Sequence, residues 1–231
     1  MTNPEYRHII MIVDRSGSMQ SCRAATEEGI NGLFSGQAGE EGGGGGGGSS
    51  AAATAATASL YQFDTEHDVV FAHVPLHQVP PYRLVPRGGT ALLDAIGFAF
   101  AREGEWLASL AEDQRPGTVI AVIATDGMEN SSREYKRPQI QEIIRRQQEV
   151  YSWQLLFIGA NMDAVQVAAG YGIPAQQAMT FRASPTGAMS SLSSVRRAMS
   201  RGRRGEGYGF TPAERAAALD DGDDTATATE A

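Results

Sequence analysis

Apolar positions along the chain follow two rhythms, and their alternation predicts the architecture. Residues 9–13 (IIMIV) form a continuous, largely β-branched run that stops at Asp14. A run that short, closed by a polar turn, predicts a strand buried on both faces of a parallel sheet. Residues 118–124 (TVIAVIA) and 153–158 (WQLLFI) repeat the pattern, ending in Thr125-Asp126-Gly127 and in GANMD. Two shorter β-rich runs, 60–63 and 69–74, are joined by DTEHD as in a hairpin, and 179–181 suits an edge strand.

Between these runs the period turns helical, over residues 24–34, 91–110, 138–150, 164–171 and 186–204. Thr211-Pro212-Ala213-Glu214 reads as a capping box opening a last helix to about residue 219. Prolines 75, 80, 81 and 86 forbid regular structure until Arg87-Gly88-Gly89-Thr90. The order β-α-β-β-α-β-α-β-α-β-α predicts an α/β fold: a doubly wound, three-layer arrangement with a mostly parallel central sheet. We expect one domain over residues 5–205, a linker and short helix over 206–219, and an acidic disordered tail over 220–231. Residues 36–59 contain seven consecutive glycines (Gly42–Gly48) and then only Ser, Ala and Thr, so a flexible surface loop is expected there.

The chain's 231 residues suit one such domain with appendages. The formal charge of −8 is concentrated at one end, because the tail carries five acidic groups and no basic one. The body is therefore near neutral, which gives no global argument for attraction to nucleic acid or a membrane surface. Cys22 is the only cysteine, which excludes an intramolecular disulfide and a cysteine-based zinc site. The run at 9–13 is far too short to span a membrane and lacks the plan of a signal peptide, so a cytoplasmic location is expected.

Candidate chemistry gathers where the buried runs end. Asp14, Ser16 and Ser18 alternate around Gly17 after the first run, and Asp126 ends the strongest later run. Thr90 stands at the expected N-cap of the second large helix. In a doubly wound sheet the two runs are neighbours at the switch point, so their terminal carboxylates can face one another. Two Asp, two Ser and one Thr make an all-oxygen set of the kind Mg²⁺, Mn²⁺ or Ca²⁺ prefers.

Asp14-x-Ser16-x-Ser18, Thr90 and Asp126 resemble, in order and residue type, the metal-ion-dependent adhesion site of von Willebrand factor A (VWA) domains. The resemblance covers about residues 5–200. It extends to small stand-alone A-domain proteins of bacteria and their phages, some associated with tellurite-type stress genes. The tract at 36–59 is a departure from them. The resemblance implies that Ser16 and Ser18 touch the metal directly, and that Thr90 and Asp126 approach it directly or through water. It also implies Mg²⁺ as the ion, with Mn²⁺ or Ca²⁺ as substitutes, and a partner protein whose exposed Glu or Asp fills an open coordination position.

Rival readings are weaker. A phosphatase of the haloacid dehalogenase type needs Asp-x-Asp after the first strand, where Ser16 takes the second place, and no lysine stands in a convincing motif between the two strands. A serine hydrolase would need a Gly-x-Ser-x-Gly elbow, which Ser16 and Ser18 lack. An A-domain scaffold that ignores metal would have little need of five intact positions. His67, His73 and His77 read as loop histidines, because Pro75 breaks the helix that a 73/77 pair would require. Glu27 and Glu28 suit a solvated helix face, and Asn161 and Asp163 suit helix capping. Arg196, Arg197, Arg201, Arg203 and Arg204 form a basic patch that pairing with the acidic tail, or solvation, explains better than nucleic acid.

Overall fold

The apolar run that ends at Asp14 becomes the centre of the molecule. The computed structural model describes residues 2–42 and 56–220, side chains 40–42 excepted. In it β1 (Asn3–Asp14) lies between β2 (Ala56–Phe63) and β4 (Pro116–Thr125), parallel to both. Beyond β2 lies β3 (His67–Pro75), the antiparallel edge strand of the hairpin; beyond β4 lie β5 (Gln154–Ala160) and β6 (Ala178–Phe181), both parallel. The sheet order is β3-β2-β1-β4-β5-β6, so the winding reverses between β1 and β4. That is a topological switch point.

Period-two alternation sorts the strands' side chains into two cores. Ile9, Met11 and Val13 pack with α1 (Arg23–Gly42), α5 (Pro185–Arg203) and α6 (Pro212–Leu219). Ile10 and Ile12 pack with α2 (Leu92–Ser109), α3 (Arg137–Glu149) and α4 (Ala164–Ala169). The expected three-layer, doubly wound fold is the observed one.

The tract 36–59 differs from its expected loop. Its first residues, to Gly42, continue α1, and Ala56 onward is strand paired with Arg7 onward; 43–55 lie outside the described residues. One glycine of α1, Gly29, serves helix packing. A Cβ at Gly29 would sit 2.5 Å from Leu192 Cδ1 and 3.0 Å from its Cβ, so α1 and α5 approach closely only because nothing is there. Gln37 is fully buried and accepts from Arg7 Nη1 at 3.0 Å.

The basic patch also differs. Arg197 Nε and both terminal nitrogens of Arg201 reach the Glu214 carboxylate at 2.7–2.9 Å, tying α5 to α6. Thr211 and Glu214 complete the expected capping box. Residues 221–231, most of the acidic tail, lie outside the described residues.

Candidate metal centre

Four loops meet above the carboxyl ends of β1 and β4. The loop after β1 carries Asp14, Ser16 and Ser18, the loop before α2 carries Thr90, and the loop after β4 carries Asp126. The fourth is the β2–β3 turn. There Asp64 Oδ2 accepts from Arg15 Nε at 2.7 Å and from Arg87 Nε at 2.6 Å. Main-chain bonds reinforce the meeting: Arg15 N–H to Phe63 O, Arg87 N–H to Arg15 O, and Gly17 N–H to Gly88 O. Gly88 has φ +66°, a left-handed conformation in which a Cβ would lie 3.2 Å from that of Asp64.

Within this frame, Ser18 Oγ donates to Asp126 Oδ1 at 2.7 Å. Ser16 Oγ lies 3.4 Å from the same oxygen and 3.0 Å from Ser18 Oγ. Asp14 sits behind them, accepting from Ser16 N–H (2.7 Å) and from Thr125 Oγ1–H (2.6 Å). The Thr90 hydroxyl lies beside Gly127, where any Cβ would begin 2.8 Å from it. Asp14, Ser16, Ser18 and Asp126 are thus joined in one hydrogen-bonded group, with Thr90 beside the glycine that follows Asp126. Asp126 Oδ2 is buried and has no hydrogen-bond partner.

Electrostatics mark the same place. Burial, only partly offset by bonds from Thr125 and Ser16, pushes the Asp14 carboxyl up to about 6. Burial likewise raises Asp126, against bonds from the two serines. Two carboxyls that resist ionisation, one with an unpartnered oxygen, lack a compensating positive charge. An all-oxygen donor set of this kind fits a hard divalent cation.

Thr90 does not cap α2. The N-cap is Ala91, and the first-turn N–H groups of Leu93 and Asp94 are taken by Glu129 and Ser132 from the loop after β4. Thr90 is instead fixed through its backbone by Asn130 and Ser131, which leaves its hydroxyl to the site. Asp163 caps α4 as expected, while Asn161 is a left-handed turn residue at φ +55°. Sequence reasoning missed Thr125, Asp64 and Asp94. Asp94 accepts three N–H groups, from Arg133, Glu134 and Tyr135, anchoring the loop that leaves Asp126. Its signal was an acid set among Leu92, Leu93 and Ile96.

Neither a protein-family model nor a curated protein matches the chain. Solved structures do. It is similar to proximal thread matrix protein 1 of the mussel byssus, with TM-score 0.54 and 13% identity over 84% of this chain and 46% of that one. A second structure of that mussel protein, described with zinc in its metal-ion-dependent adhesion motif, gives TM-score 0.51 and 12% identity, over 83% of this chain and 44% of that one. The VWA domain of SpRpn10 gives TM-score 0.49 and 12% identity, over 89% of this chain and 98% of that one. The chain thus spans under half the length of the mussel protein chains. At such identities the likeness is one of fold alone: a six-stranded, mostly parallel sheet with helices on both faces, shared with the mussel protein.

Proposed function

We propose that Asp14, Ser16, Ser18, Thr90 and Asp126 hold a divalent cation, Mg²⁺ with Mn²⁺ or Ca²⁺ as substitutes, and that the protein is a metal-dependent protein-binding module. The observation that carries the reading is the buried, unpartnered Asp126 Oδ2 beside two serine hydroxyls and a second buried aspartate. When bound, the ion supplies a positive centre to which a partner's Glu or Asp carboxylate can add. The two site aspartates already balance its charge, so the partner's carboxylate contributes binding that only the metal can reward.

The chain's own residues do the positioning. Asp14 fixes the Ser16 backbone, the two serines orient Asp126, and Asp64 joins the loops through Arg15 and Arg87. The site loops also carry two exposed apolar side chains, Met128 and Val85, suited to a protein contact around a polar centre. Among the described residues no helix is long and apolar enough to cross a membrane.

The arrangement does not favour phosphoryl chemistry. Ser16 occupies the place where an aspartate would serve as general acid, and the only lysine, Lys136, sits at the start of α3. Affinity capture from the native host in Mg²⁺ and again in EDTA tests the reading. A partner held in Mg²⁺ and released by EDTA is expected; a partner held equally in both, or turnover of an aryl phosphate, would contradict it.

A further inference from the structure

A second group of metal-ligating side chains lies at the opposite end of the sheet from the oxygen site. His8 is six residues before Asp14 on β1, about 20 Å away at strand rise. It points to the α2 face, and there meets Glu103 of α2 and His73 of β3. His8 Nε2 lies 3.0 Å and His73 Nε2 3.2 Å from one oxygen, Glu103 Oε2. No local pattern announces this meeting, because positions 8, 73 and 103 share no spacing.

The surroundings aim these three atoms. Thr57 Oγ1 lies 2.8 Å from His8 Nδ1: it can donate to that nitrogen while Nε2–H bonds Glu103, and it can accept Nδ1–H once a metal takes the place of the Nε2 proton, which makes Nε2 the ligating nitrogen. Tyr61 O–H donates to Glu103 Oε1 at 2.7 Å, leaving Oε2 to face the histidines. His73 is re-aimed by a bulge: the β2–β3 register shifts between Ala58 and Leu60, His73 takes φ +56°, and its N–H donates to Ser59 Oγ at 3.0 Å. Trp106 then stacks on its ring, centroids 3.9 Å apart. His8 and Glu103 are fully buried, whereas the His73 side chain is 28% exposed and opens the group to solvent.

We propose that His8, His73 and Glu103 form a second cation site that takes a borderline transition metal, Zn²⁺ above all. Two imidazole nitrogens and one carboxylate oxygen are a zinc-type donor set, one that Mg²⁺ does not favour. The two nitrogen–oxygen separations are close to the edge of about 3.3 Å expected for a tetrahedron with bonds near 2.0–2.1 Å, and all three ligand atoms lie within 4.8 Å of one another. The remaining position faces the His73 side. Bound there, zinc would staple the edge strand, the central strand and α2 together. This site is independent of the oxygen site, whose failure would leave it untouched.

The test uses the full chain with the oxygen site disabled, Asp126→Ala, and with that change plus His73→Gln, both checked for folding by near-ultraviolet circular dichroism. Calorimetric titration with Zn²⁺ should give one equivalent in the first protein and binding weaker by about 100-fold in the second. X-ray absorption of the first protein loaded with one equivalent should show two imidazoles in a nitrogen–oxygen shell. Equal zinc affinity in the two proteins, no zinc binding in the first, or an imidazole-free shell would overturn the proposal. The absorption measurement does not depend on the second variant's folding.

Discussion

Asp14 is fixed by its neighbours: one oxygen accepts the Ser16 N–H and the other the Thr125 hydroxyl. Thr125→Val keeps the shape and removes the hydroxyl, so Mg²⁺ affinity in a calorimetric titration should fall by about 10–100-fold while unfolding stays cooperative. The raised Asp14 carboxyl sets a pH dependence. In the unfolded chain it ionises near the ordinary value of about 4, whereas in the folded metal-free protein it ionises only near 6. Its contribution to metal-free stability is therefore fully present below about pH 4 and is lost as pH rises through 6. Mg²⁺ should raise the Tm strongly at pH 7.5 and much less at pH 5, where protons compete for the site. An equal rise at both values would contradict this. The five proposed ligands could be singled out in the sequence because each stands beside a strand end or a glycine turn. Thr125, Asp64 and Asp94 were not, because their roles are hydrogen bonds across 23 to 111 positions, which no local pattern encodes.

Among the elements, α1 and α5 show why composition misled at one place. Glycines and small residues at 36–42 resemble a linker, yet they continue α1, and an earlier glycine of that helix, Gly29, is what permits its contact with α5. Gly29→Val should therefore destabilise the protein by about 1–3 kcal/mol, because the Leu192 it strikes is buried. Gly32→Ala, with open space around it, should stabilise by about 0.4–1 kcal/mol. Urea unfolding distinguishes the two, and equal effects would contradict the packing account. The α5–α6 contact makes a different prediction. Burial works against the Glu214 carboxylate, but Arg201, the Thr211 backbone and Arg197 together hold it down at about 2. That stability is present above the ordinary glutamate value and is lost as pH falls toward 2. Glu214→Gln should be less stable than wild type at pH 7, with the difference shrinking in acid melts from pH 4.5 to 2.5.

Across the whole molecule, strand order decides where chemistry can sit. The alternating runs made the doubly wound sheet readable from the sequence, and the neighbouring of β1 and β4 followed from the same logic. What the sequence could not show was the sheet's other end, where a bulge in β3 brings His73 to His8 and Glu103. The switch point joins segments more than 100 residues apart into one oxygen-lined cleft, and its uncompensated carboxylates are the molecule's clearest demand for a cation. The most direct test is thermal unfolding of the metal-stripped protein at pH 7.5 during titration with Mg²⁺, an ion the histidine group does not favour. The account predicts a saturable rise in Tm for wild type that is absent in Asp126→Ala. A flat response in wild type, or the same rise in both proteins, would contradict it.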